Sequence, residues 1–140
     1  MNKMKLEFLS TSQNERFARG VASAFVLELD PTLRELSEIK TAVSEAVTNA
    51  VIHGYQGSYG IITMEGNTSG SVVEFKISDT GTGIPDIDKA MEPMYTGKPE
   101  QERSGLGFTI MQSFMDELIV ESEPGKGTII TMRKKIGTAE

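Results

Sequence analysis

The sequence predicts an α+β sandwich with helices on one face of a mostly antiparallel sheet. Three observations carry this. Apolar residues recur at the helical period over two long stretches, 12–29 and 33–54. Five shorter stretches are rich in Ile, Val, Phe and Thr, or alternate apolar with polar. The order is strand, two helices, two strands, a long aperiodic segment, one helix and a final strand pair, which segregates helices from strands rather than alternating them.

Residues 3–9 alternate, with Met4, Leu6 and Phe8 on one side, as in a half-buried strand. Ser12 followed by Glu15 reads as a capping box that opens a helix to about Leu29, with Phe17, Val21, Ala22, Phe25 and Leu29 inward and Glu15, Arg19 and Ser23 outward. Asp30-Pro31 breaks it. Thr32 with Glu35 caps a second helix, stopped at Gly54, whose apolar stripe is Leu36, Ile39, Val43, Val47 and Ala50. Glu38, Glu45, Asn49 and Ile52 lie nearly opposite that stripe. Residues 60–66 and 71–79 read as a hairpin with Asn67-Thr68-Ser69-Gly70 as its loop. Residues 84–104 carry Pro85, Pro93, Gly97 and Pro99 among charges and lose periodicity, apart from one helical turn near Asp86–Met91. A long loop of that kind is often a lid. A helix over about 107–115 and a hairpin turning at Pro124–Gly127 complete one domain, 1–136, with a frayed tail from 137.

Composition narrows the function classes. The chain has 140 residues and a net charge of −6, which argues against a phosphate-backbone surface and so against direct nucleic-acid binding. No cysteine is present, removing disulfides and thiolate chemistry. No apolar run approaches the ~20 residues of a membrane span. The expectation is a cytoplasmic protein with protein or small-molecule partners.

Four pieces describe a possible site. Glu45 and Asn49 stand one helical turn apart, a carboxylate able to take a proton and an amide oxygen suited to Mg2+. His53, one turn further, suits the helix end, where the dipole favours an imidazolium. Asp79-Thr80-Gly81-Thr82-Gly83 follows a strand and offers an acceptor carboxylate beside backbone that a flat ring can approach. Ser104-Gly105-Leu106-Gly107 opens a helix and presents N–H groups to an anion. No P-loop or GxGxxG is present, so a nucleotide would be held in another way.

EAVTNA, DTGTGIP, a lid ending in SGLGF, and GKGT, in that order over residues 35–131, resemble the GHKL ATPases, which include gyrase B, Hsp90, MutL and the histidine kinases. The resemblance implies a Bergerat-type ATP-binding sandwich. It implies Asn49 on Mg2+, Asp79 on the adenine amino group, Gly81 and Gly83 shaping the base pocket, and Thr128 supporting the adenine side. It further implies Ser104, Gly105, Leu106 and Gly107 at the phosphates and Glu45 as general base. Thr96 and Lys98 would serve the lid, although Tyr95-Thr96-Gly97-Lys98 departs from the usual Thr-Thr-Lys.

Within that family, EAVTNAVIHGY is similar to the small stand-alone serine kinases that act as anti-sigma factors. LSTSQNERFAR and ERSGLGFTIMQSFMD look most like their sporulation branch, with the general-stress branch the close alternative. The resemblance implies a sigma factor and a serine-bearing anti-anti-sigma protein as partners, with ATP and Mg2+. It also implies a homodimer, for which the edge of residues 3–9 is a suitable seam. Glu15 and Arg19 are candidates for sigma contact, and Arg103 for the serine-bearing partner. Two rivals are a retroviral-type aspartic protease, which Asp79-Thr80-Gly81 would suit but two capped helices oppose, and an ATP-gated binding module without phosphotransfer.

Overall fold

In the computed structural model, residues 1–55, 58–84, 87–92 and 106–137 are described, without the side chains of Asp88 and Lys89. Five strands, β1 (Asn2–Leu9), β2 (Ile61–Ser69), β3 (Val72–Asp79), β4 (Glu117–Glu123) and β5 (Gly127–Lys135), form one sheet in the order β1-β2-β3-β5-β4. Among the described residues every pairing is antiparallel, where the sequence suggests a mostly antiparallel sheet. Helices α1 (Ser12–Val26), α2 (Leu33–Asn49), α3 (Ile87–Ala90) and α4 (Gly107–Phe114) complete the described elements, with a 3-10 turn at Leu27–Leu29 and a π turn at Ala50–Gly54.

Strand alternation decides which face is covered. Ile62, Met64, Val73, Phe75, Ile77, Ile130 and Met132 are buried on one side, while Glu65, Ile119, Glu121 and Ile129 are exposed on the other. Helix α2 packs between α1 and α4. Both flanks of α2 are therefore covered, and no residue from Glu38 to Tyr55 is fully exposed. Ile39, Ala42, Val43, Ala46 and Val47 are completely buried. Phe25 of α1 meets Phe75 of β3 edge-on, with ring centroids 6.0 Å apart, a favoured aromatic geometry.

The capping box of α2 forms as its sequence predicts: Thr32 Oγ1 accepts from the Glu35 N–H at 3.1 Å, and Glu35 Oε1 accepts from the Thr32 N–H at 2.9 Å. The other Glu35 oxygen accepts from the Gly137 N–H at 3.1 Å and ties the end of the sheet to α2. These N–H groups, led by that of Thr32, hold the Glu35 carboxyl below its usual range against the opposing effect of burial.

Three local expectations fail. The cap of α1 is Thr11, not Ser12. Glu15 is thereby one position too far along to close a box, and it accepts instead from the Ser44 hydroxyl at 2.7 Å. Phe17 is 54% exposed, and the buried residues of α1 are Ala18, Ala22 and Val26. A helix packed along a neighbour takes alanine where hydropathy alone favours phenylalanine. Asn67, Thr68 and Ser69 belong to β2 rather than to a loop. Thr68 is pinned by the Asn2 N–H at 3.0 Å and by Glu28 at 3.4 Å, and Gly70, at φ 60°, with Ser71 makes the turn.

Candidate functional site

The site lies where the far end of α2, the end of β3, the β4–β5 turn and the start of α4 converge. Regular α-helix stops at Asn49, and the chain continues through a π turn to Gly54. Such turns inside helices are often found at functional sites. Here the turn brings Gly54 against Asp79, so that a Cβ on Gly54 would lie 2.8 Å from Asp79 Oδ1. The Gly54 carbonyl accepts from the Thr82 N–H at 2.8 Å and the His53 carbonyl from the Thr82 hydroxyl at 3.0 Å. Any side chain at Gly81 would overlap that Gly54 carbonyl. Gly81 is glycine because two backbones meet there.

Asp79 is the last residue of β3 and is 6% exposed. Its Oδ1 accepts from the Gly81 N–H at 2.9 Å. Burial pushes its carboxyl above the usual range, opposed by hydrogen bonds from the backbone of Gly81 and Thr128. Gly83, at φ 79°, turns the chain under β4, where a side chain would strike the Glu123 carbonyl. The Thr82 carbonyl accepts from the Gly125 N–H at 2.7 Å. Thr128 of β5 pairs directly with Asp79 and is 3% exposed. Asp79, Gly81, Gly83 and Thr128 therefore come together, as their spacing in sequence could not show.

Glu45 and Asn49 occupy the partly exposed flank of α2. A Cβ on Gly107 would lie 3.2 Å from Glu45 Oε1, which places the carboxylate at the first turn of α4. That helix starts after Leu106 without a side-chain cap, so its dipole and N–H groups face the same region. Glu45 and Gly54 are separated by roughly 13 Å of helix, at 1.5 Å per residue. The arrangement suits an elongated ligand with a hydrogen-bonding ring at Asp79 and an anionic end toward α4. Thr96, Lys98, Arg103, Ser104 and Gly105 lie outside the described residues, as does most of the expected lid. Glu15 and Arg19 sit apart from this site on α1; they form a loose pair at 3.7 Å, and Glu15 is turned toward α2.

Two residues escaped the sequence reading. The Tyr55 hydroxyl accepts from the Thr80 N–H at 2.9 Å and donates to the Ile61 carbonyl at 2.6 Å, bracing the backbone next to Asp79. Ser122 Oγ accepts from the Ile84 N–H at 2.7 Å and lies 2.9 Å from Thr128 Oγ1. Nothing local marks either; only the fold brings their partners near.

Residues 8–134 match the histidine kinase-like ATPase domain, and the chain belongs to that family. Among curated proteins, the chain is 58% identical over 137 residues to the Anti-sigma F factor of Thermoanaerobacter sp. (strain X514), covering 98% of this chain and 96% of that one. It is 57% identical to the Anti-sigma F factor of Clostridium kluyveri over 133 residues, with 95% and 94% covered. The chain thus closely resembles the anti-sigma F factors, at the level the motif order predicts. Among solved structures, the RsbU and RsbW domains from Mycobacterium tuberculosis match with a TM-score of 0.69 at 19% identity, over 97% of this chain and 33% of that one. The catalytic domain of the histidine kinase ThkA matches with a TM-score of 0.59 at 15% identity, over 97% of both chains. Both share the fold, the Bergerat-type sandwich expected from the sequence.

Proposed function

We propose that this chain is an anti-sigma factor of the sigma-F type and a serine protein kinase: it sequesters a sporulation sigma factor and uses Mg-ATP to phosphorylate a serine on an anti-anti-sigma partner. The near full-length identity to proteins named Anti-sigma F factor supports the sigma-binding half. The single observation that carries the kinase half is the Glu45 carboxylate at the opening turn of α4, on the same helix flank as Asn49.

In this reading adenine docks against Asp79 and Thr128, and the phosphates run toward Gly107. The carboxylate of Asp79 accepts from the exocyclic amine, and Gly54 and Gly81 let the two backbones close around that carboxylate. Asn49 offers one amide oxygen, which fits Mg2+, an ion that takes one or two protein ligands and completes its shell with phosphate oxygens and water. Among the described residues no cluster of three His, Cys, Asp or Glu could hold a metal alone. Bound Mg2+ would neutralise phosphate charge. Glu45 accepts the proton of the incoming serine hydroxyl as its Oγ bonds to the γ-phosphorus. The bond from that phosphorus to the bridging oxygen breaks, and ADP leaves. Positioning and charge neutralisation do most of the work in such a transfer.

Glu15 and Arg19 are the proposed sigma contacts, Arg103 the proposed grip on the serine-bearing partner, and Thr96 and Lys98 the proposed lid contacts. The outer edge of β1, at the end of the sheet, is the proposed seam of a homodimer. A cytoplasmic place of work belongs to the same proposal; no helix among the described residues is long and apolar enough to cross a membrane. The test is transfer of label from γ-labelled ATP to a small protein in an extract of sporulating cells. Wild type should label a serine and Glu45→Gln should not; equal labelling by both would remove Glu45 from the chemistry. ATP binding without any labelled protein would favour a nucleotide-gated sequestering module.

A further inference from the structure

The hydroxyl of Ser122, on β4 directly beside Thr128, holds three groups at once. The Ile84 N–H donates to it at 2.7 Å, the Gly127 carbonyl lies 3.0 Å away, and Thr128 Oγ1 lies 2.9 Å away. A serine hydroxyl has one proton and two lone pairs. The Gly127 carbonyl can only accept, so it takes the Ser122 proton. The Ile84 N–H can only donate, so it takes one lone pair. The remaining lone pair must receive the Thr128 proton. Thr128 is then left with acceptor capacity alone, and it is 3% exposed directly across from Asp79, another acceptor.

From this arithmetic we infer that Ser122 is a specificity-determining positioning residue: by consuming the Thr128 proton it makes the pocket floor a pair of acceptors, which selects a purine bearing an exocyclic amine over one bearing a carbonyl at that place. The inference rests on the adenine-nucleotide reading of the site. A carbonyl facing the two oxygens would find no donor, and an unmatched buried polar group is costly. Without Ser122 the Thr128 hydroxyl is free to rotate and donate. The rejection is thereby relaxed.

The measurement compares dissociation constants of ATP and inosine triphosphate, which exchange the exocyclic amine for a carbonyl and, with it, the N1 lone pair for an N1–H. Wild type, Ser122→Ala, Ser122→Thr and Thr128→Val are titrated in the presence of Mg2+, with folding checked by thermal melting. Losing the Ile84 bond weakens both nucleotides together, whereas freeing Thr128 changes their ratio. The ATP preference should fall about tenfold in Ser122→Ala, the size of one lost hydrogen-bond discrimination. Ser122→Thr, which keeps the hydroxyl, should restore it. Thr128→Val should lower the preference too, and keeps the test open should Ser122→Ala not fold. An unchanged ratio in folded Ser122→Ala overturns the inference while leaving the nucleotide site standing. Wild type that binds neither nucleotide overturns the site itself.

Discussion

Asp79 is a buried acid that the unliganded fold holds at a cost. Burial pushes its carboxyl above the ordinary range, so the native state keeps the proton to higher pH than the unfolded chain does. Native protein binds more protons than unfolded protein in that window, and stability from this group falls as pH rises from the unfolded value through the native one. Asp79→Asn removes the slope while retaining an oxygen for the Gly81 N–H. The unliganded variant should melt at or above wild type at neutral pH, with a flatter dependence from the ordinary carboxylate range upward; a steeper one would contradict the assignment. Gly81 makes the complementary case. Gly81→Ala forces a methyl into the Gly54 carbonyl, and overpacking of that kind costs about 1–3 kcal/mol. A lowered urea midpoint checks it. The motif letters made Asp79, Gly81 and Gly83 legible as candidates. What brings them together, the pairing of Asp79 with Thr128 and the close approach of Gly81 to Gly54, joins segments far apart in sequence and has no local signal.

Helix α2 was the most legible element, because its stop and start chemistry and its apolar period agree. Thr32→Ala removes a cap and should cost about 1 kcal/mol in chemical denaturation. An effect near zero would mean that the Glu35 bonds to Thr32 and Gly137 suffice. The end of α2 was less legible: Gly54 marked a stop, but nothing in AVIHG distinguished a π turn from ordinary helix. Helix α1 misled in the opposite way. Its hydropathy placed Phe17 inside with Val21, Ala22, Phe25 and Leu29; Phe17 alone lies out, and Ala18 and Val26 join Ala22 in the core. The β2–β3 hairpin misled through composition, since Asn, Thr and Ser favour turns, yet the Thr68 bonds to Asn2 and Glu28 hold the segment in the sheet.

Across the whole molecule, the nucleotide site and the proposed sigma-contact surface are separate in place but touch through α2. Arg19 pairs loosely with Glu15, Glu15 accepts from Ser44, and Ser44 precedes Glu45. Arg19→Glu should abolish sigma binding in a pull-down while leaving ATP affinity within about twofold, because a loose, partly exposed pair at 3.7 Å contributes little to the fold. Unchanged sigma affinity would sink the assignment of that surface. The order of four motifs disclosed the family, and the antiparallel sheet with one covered face followed from alternation and hairpins. The proposed adenine-nucleotide site spans Asp79, Asn49 and Glu45, and calorimetric titration of Mg-ATP into wild type and Asp79→Asn decides whether it exists. One site per chain in wild type, with affinity reduced at least about tenfold in a folded Asp79→Asn, is the predicted result. Equal affinity in both proteins would contradict it.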